Sequence, residues 1–415
     1  MNTMSPDKIA SIKARVASDY RNLDSREPDY AFSSEEYAGR RSRLRAELAS
    51  HGVDTLILSS PDGMCWLHGY ESRWHRAHSP VRWMPLQMTA LRVSTGEAVH
   101  FDVAHHRHLL RLSSVVEELR LGDEDGRPML DLIVRELSQR GWLKGTVGLE
   151  LGSHVPNRAT SETIEAAFAS QGSTIVDATT MVRAARKIKS VAEIEALEEA
   201  ARICDFGLEF MRHEMRPGMT ERQAWGALVR GMAEAGGGPA ALHESVVVGP
   251  IELGHAYSSD RVIKRGDVLC ADPSGVYKNY HANIERWYVV GEDPSDALLD
   301  LAAVEAKAFE ILCSQAAHGT RVQDVTDRIQ EHLTENGLWG LHNWNGGYEM
   351  GLSFPPDWVG EWTFTVGEQT NDLFETGTVT NYESIVLYPM IDTVVFGESG
   401  ARTLSQLPLN VLRAG

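Results

Sequence analysis

After Lys187 the sequence runs through one order of elements twice, two helices and then strands, and few folds accommodate that repetition. The first pass opens with the long helical pattern VAEIEALEEAARICDFGLEFMRHEM. A second helix follows, announced by the capping box Thr220-x-x-Gln223, in which each side chain satisfies a backbone N–H that the helix start leaves without a partner. The strand-like runs HESVVVG, DVLCADPSG and RWYVVG come next, rich in β-branched and aromatic residues between turn signals. The second pass starts a helix at Ser295, continues through VQDVTDRIQEHL, and ends in TVTNYESIVLYP and MIDTVVF. A duplicated helix-helix-sheet unit predicts two half-domains facing each other, with an active site in the seam between them.

The preceding stretch has a different texture. Ser33-x-x-Glu36 opens a helix through Leu48 that Gly52 ends, and strand-like runs recur at 54–58, 88–93, 98–103, 146–151 and 173–178, with the periodic helix MLDLIVREL between two of them. With 415 residues the chain exceeds one ordinary core. The expected organisation is therefore an α/β domain over 30–182 followed by a larger domain over 187–415, α+β as a whole.

Composition removes several functions. A formal charge of −18 argues against nucleic acid, whose binding rests on Lys and Arg neutralising phosphates. The first twenty residues carry no signal-like apolar run and no window approaches a membrane span, so a soluble, cytoplasmic protein is expected. Cys65, Cys204, Cys270 and Cys313 lie far apart without a CxxC pair, which suits reduced core thiols rather than disulfides or a zinc knuckle.

The element order and several motifs resemble the "pita-bread" fold of the creatinase and aminopeptidase P superfamily. The resemblance implies an N-terminal creatinase-type α/β domain followed by a pseudo-two-fold catalytic domain. Metallopeptidases of this superfamily hold two divalent ions with an Asp, a second Asp in GYxxDxTR, the His of GHGIG, a Glu in the next strand and a last Glu in RxED. In this chain DPSGVYKNYHANIERW places Asp272 at the first position and Asn283 at the second; GGYEMG places Tyr348 at the His, and Pro355 stands at a further active-site His. GTVTNYES keeps Glu383, while MIDTVVF places Ile391 at the last Glu. Two carboxylates and an amide are too few for two hard ions, so neither a catalytic metal nor another cofactor is expected. A register slip would change that reading, because Glu349 and Asp392 adjoin two of the lost positions.

The metal-free branch, creatinase and ectoine hydrolase, fits more of the residues. GHAYSSDRVIKRGD places His255 where creatinase has the His that passes protons, NIERW places Glu285 at one of its two guanidinium-holding glutamates, and Glu383 at the other. Histidine can serve as base and then acid near neutral pH, and two carboxylates suit a cation. Glu383 lies in an apolar-flanked strand where an unpaired carboxylate would be costly to bury, so it is expected to face a cavity. Asp272, Asn283, Tyr348 and Trp358 are further substrate-binding candidates. The His243-Glu244 pair reads as strand-edge polarity rather than catalysis.

Substrate identity stays open. SFPPDWVGEWTF lacks the arginine with which creatinase clamps a carboxylate, and with GGYEMG it is similar to a GYxxGxxxPPDWGE signature of ectoine hydrolase. Trp287, Trp344, Tyr348, Phe354, Trp358 and Trp362 gather near the site, where indole faces would attract a cation and the remaining rings would be core. The segment GYESRWHRAHSPVRW offers Arg73, Arg76 and Arg82, either to a neighbouring subunit's site in a homodimer or as a solvated basic loop. Three alternatives remain: a metal-dependent Xaa-Pro peptidase, a lyase of the dimethylsulfoniopropionate type, and a non-catalytic docking domain.

Overall fold

The structure, a computed structural model, describes residues 4–72, 86–122, 126–249, 251–341 and 344–415. The chain divides into two compact units, Met1–Arg186 and Lys187–Gly415.

The first unit is built on a six-stranded sheet of β1 (Thr55–Leu58), β2 (Met88–Arg92), β3 (Ala98–Val103), β4 (Glu118–Gly122), β5 (Gly145–Leu149) and β6 (Ser173–Asp177), in the order β4-β3-β2-β1-β5-β6. Neighbours β1/β2 and β2/β3 run antiparallel, the other three pairs parallel. Helices α1 (Pro6–Asp24), α2 (Ser34–Ser50), α3 (Pro61–His68), α4 (Arg107–Ser113), α5 (Gly126–Gln139), α6 (Arg158–Ala169) and α7 (Thr179–Lys187) accompany it. Ile133 and Leu137 of α5 and Phe168 of α6 pack on Phe101 and Val147 of the sheet. Removing such side chains from water supplies the main favourable term of folding. Helix α1 buries none of its residues.

The second unit repeats a helix pair and strands. Helices α8 (Val191–Glu214) and α9 (Glu221–Glu234) precede β7 (Ser245–Val248), β8 (Val268–Asp272), the hairpin β9 (Ser274–Tyr277) and β10 (Tyr280–Asn283), and β11 (Arg286–Val290). Helices α10 (Asp296–Gln315) and α11 (Val322–Glu335) precede β12 (Trp344–Glu349), β13 (Trp362–Thr365), β14 (Val379–Ile385), β15 (Pro389–Phe396) and β16 (Ala401–Thr403), and β17 (Leu412–Ala414) closes the chain. The capping box at Thr220 is present, and a second at Ser190 and Glu193 starts α8.

Two sheets result, β17-β11-β8-β7 and β13-β12-β14-β15-β16. A backbone bridge between Glu285 and Ile391 joins them, with N···O distances of 3.1 and 3.4 Å. Arg286, fully buried, fastens the joint. Its guanidinium donates to the carbonyls of Glu285, Ile391, Leu407 and Pro408 and reaches Asp392 Oδ2 at 2.7 Å. A buried charge pair persists only when its remaining donors are satisfied, as they are here. The seam between the two halves is thereby fixed at the position of the candidate site. Among the described residues no helix is long and apolar enough to cross a membrane.

Candidate active site

Period-2 alternation aims the seam residues at a common space. Asp272 ends β8, Asn283 ends β10, Glu285 precedes β11, and Asn381 and Glu383 share one face of β14. Across the sheet Tyr348 stands opposite Asn381, and Gly346 opposite Glu383. Asn283 Nδ2 donates to Asp272 Oδ1 at 2.6 Å and to the Pro273 carbonyl at 2.8 Å. Asn381 Nδ2 lies 2.8 Å from Asn283 Oδ1, 2.9 Å from Glu383 Oε1 and 2.7 Å from the Tyr348 hydroxyl, which itself donates to Glu383. The two amides and the phenol thus form a continuous lattice between two carboxyl groups. Two acceptors match the two hydrogens of Asn283 Nδ2, whereas Asn381 Nδ2 shares its two hydrogens among three acceptors and its Oδ1 is buried without a hydrogen-bond partner among the described residues.

The carboxyl groups titrate away from their ordinary range. Burial raises Glu383 to about 7, helped by the Asp272 charge and opposed by its bonds to Tyr348 and Asn381. Burial also raises Asp272 to about 6, against the Asn283 bond and the His255 charge. Glu285, 3% exposed, is pushed well above the carboxylate range by burial and then by the charges of Asp272, Glu383 and Glu305. Its carboxyl makes no hydrogen bond to the described residues. Three acids in mutual repulsion make a space that favours either protons or an incoming cation.

The predicted residues do not all converge. Asp272, Asn283, Glu285, Tyr348 and Glu383 do. Trp358 is buried beside Tyr348, to whose hydroxyl its indole N–H donates, with its ring 6.0 Å from that of His281. His255 stands exposed on its loop, within electrostatic reach of Asp272 but hydrogen-bonded to none of the described residues. Arg73, Arg76 and Arg82 lie outside the described residues. Trp287 departs from the expected aromatic cluster: it stacks on Tyr388 at 5.0 Å inside the core. Asn381 is the residue the motifs missed. Its signal in the sequence was an amide two positions before Glu383, hence on the same face of the strand, and the structure buries it fully.

A pair of divalent ions does not fit this donor set. Asn283 and Asn381 turn N–H groups, not oxygens, toward the two carboxylates, placing positive hydrogen where a cation would have to sit. A shifted register supplies no replacement. Glu349 is paired with Lys189, and Asp392 points to the opposite face, toward Arg286. Ile391, apolar, is the residue paired with Glu383.

Residues 195–403 match the metallopeptidase family M24 and residues 40–188 the creatinase/prolidase N-terminal domain. The chain belongs to the M24 family and has its pita-bread fold. It is 25% identical over 399 residues to an ectoine hydrolase from Halomonas elongata, covering 91% of this chain and 97% of the relative. It is 22% identical to a creatinase from a Bacillus species, covering 91% and 92%. A dipeptidase structure from Pyrococcus horikoshii superposes with a TM-score of 0.74 at 18% identity, covering 90% and 99%. That last likeness concerns the fold alone.

Proposed function

We propose that the protein hydrolyses a C–N bond of an amidine, guanidino or amide group in a small nitrogenous metabolite, without a catalytic metal. The observation that carries the reading is the amide lattice, in which Asn283, Asn381 and Tyr348 hold Asp272 and Glu383 by hydrogen bonds at positions where metallopeptidases of the family hold ions. Full-length likeness to an ectoine hydrolase and a creatinase supports the same direction.

The chemistry needs a base and then an acid. His255 removes a proton from water as the water oxygen bonds to the amidinium carbon and the C=N electron pair returns to nitrogen. The imidazolium then protonates the leaving nitrogen as the C–N bond breaks and the hydroxyl oxygen forms the C=O bond, its proton passing back to the imidazole or to the departing amine. General acid-base catalysis of this kind contributes roughly 10²–10⁴-fold. Glu285 and Glu383 accept charge-assisted hydrogen bonds from the N–H groups of the cation, and Asp272 steadies the imidazolium through its charge. The reading includes a cytoplasmic homodimer in which Arg76 or Arg82 of one subunit takes a substrate carboxylate in the other.

The test is incubation with ectoine and with creatine in oxygen-18 water, with and without chelator, followed by mass spectrometry of the products. The proposal expects one oxygen-18 atom in the product, chelator-insensitive turnover, and a His255→Ala variant that binds substrate without turning it over. An unlabelled elimination product would favour a lyase. Manganese-dependent cleavage of an Xaa-Pro dipeptide would favour the peptidase.

A further inference from the structure

Three aromatic rings lie together on the face of the second sheet that carries Glu383. Trp344 and Tyr348 lie four positions apart on one face of β12, with Gly346 between them, and Trp362 opposes Tyr348 on the edge strand β13. Their centroids are 5.2 Å apart for Trp344 and Trp362, 5.9 Å for Tyr348 and Trp362, and 6.5 Å for Trp344 and Tyr348. Gly346 makes the arrangement possible. A Cβ there would come within 2.7 Å of Trp344 Cζ2, so the indole lies across the glycine that stands opposite Glu383. The rings form a continuous strip from the carboxylate outward, ending at Trp362, which is 66% exposed.

Single exposed apolar side chains need no explanation, but a contiguous aromatic strip running into a carboxyl cluster does. The neighbouring basic groups are committed elsewhere: Lys189 to Glu349, Arg286 to Asp392 on the opposite face. The strip therefore borders a negative space, and aromatic faces add attraction for a cation rather than for an anion or a neutral group. We propose that Trp344, Tyr348 and Trp362 form a cation-binding subsite for the part of the ligand distal to the reacting carbon. It takes a cation with an apolar face, such as an N-alkylated ammonium. The assignment rests on the hydrolase reading for what the ligand becomes, but not for whether it binds.

The experiment labels the whole protein with 5-fluorotryptophan, assigns the fluorine resonances of residues 344 and 362 with W344F and W362F, and titrates choline, acetamidinium and 3,3-dimethylbutanol, the uncharged isostere of choline. The two cations should shift both resonances saturably while the isostere does not, and W362A should weaken cation binding about 2–5-fold, the loss expected for one exposed ring. Equal shifts with the isostere would overturn the proposal in favour of a plain apolar surface, and no shift with any probe would remove the subsite. Turnover of a substrate with KM unchanged in W362A would sink the subsite and leave the hydrolase standing. Cation binding without turnover of any amidine would do the reverse.

Discussion

Asn283 and Asn381 decide the chemistry of the seam through the atom each one turns toward a carboxylate. Because the amides donate, Asp272 and Glu383 are held in place without a cation, and burial is left to raise both. Holding a cationic substrate requires the ionised forms, so kcat/KM for an amidine should rise with pH across the window from about 6 to about 7 and level off above it. The two acids are coupled, and the profile reports the pair rather than either residue. A rate profile flat from pH 5 to 8 would contradict this assignment. Stability runs the other way. A carboxyl raised in the folded state keeps its proton there after the unfolded chain has released it, so stability falls as pH rises from the ordinary value of 4.5 through about 7. Glu383→Gln should accordingly raise the melting temperature at pH 8 and change it little at pH 4.5, measured by scanning calorimetry.

At the scale of elements, the fold depends on a close approach that no periodicity reveals. The hairpin strand β9 meets α8 at Gly275, where a Cβ would lie 1.9 Å from the Ala200 carbonyl oxygen and 2.7 Å from the Cys204 nitrogen. Both are helix backbone atoms, so neither can yield alone. Gly275→Ala should cost about 1–3 kcal/mol or more in chemical denaturation, as overpacking does, and an unchanged midpoint would show that the hairpin can shift. The helices of the second unit were legible from their caps, since Thr220 and Ser295 do start α9 and α10. Strand β4 was not, although ELRLG alternates polar and apolar residues; it is a five-residue strand, half-buried throughout. Helix α1 was not, because it buries none of its residues and its polar, mixed-charge sequence gives no sign of a core-facing stripe. Glu285 and Trp287 are both expected near the site, but sequence carries no information on depth. One faces the acids and the other sits in the core. The site motifs were readable for the same reason the aromatic cluster was only half so: a motif fixes residue identity, whereas a ring's neighbours depend on tertiary packing.

For the molecule as a whole, the first unit carries a polar chain of its own through the sheet interior. Ser114 and Thr89 flank His68 at 2.8 and 2.7 Å, Thr89 continues to His100 at 2.9 Å, and Asp102 lies between His100 and His106. Burial, then the His100 charge, holds His68 well below its ordinary value. Burial alone would raise Asp102, but its bonds to His100 and His106 hold it at about 2. Both shifts have the same sign in linkage. A histidine depressed in the folded state and an aspartate depressed by its partners each lose stabilising free energy on acidification, the first as pH falls below 6.5 and the second below 3.8. Denaturation at pH 5.5 should therefore require less urea than at pH 7.5 for the transition of the first unit, and His68→Gln should flatten that difference. Equal midpoints in the unsubstituted protein would contradict the buried-neutral histidine.

The second unit's interpretation rests on donors that do not fit metal, and elemental mass spectrometry of protein purified without chelator addresses it directly. Less than about one-tenth equivalent of manganese, zinc or iron per chain is the predicted result, because the amides turn N–H donors rather than oxygen ligands toward the two carboxyl groups. Near two equivalents would contradict it and would make Asp272 and Glu383 ligands of a two-ion peptidase centre.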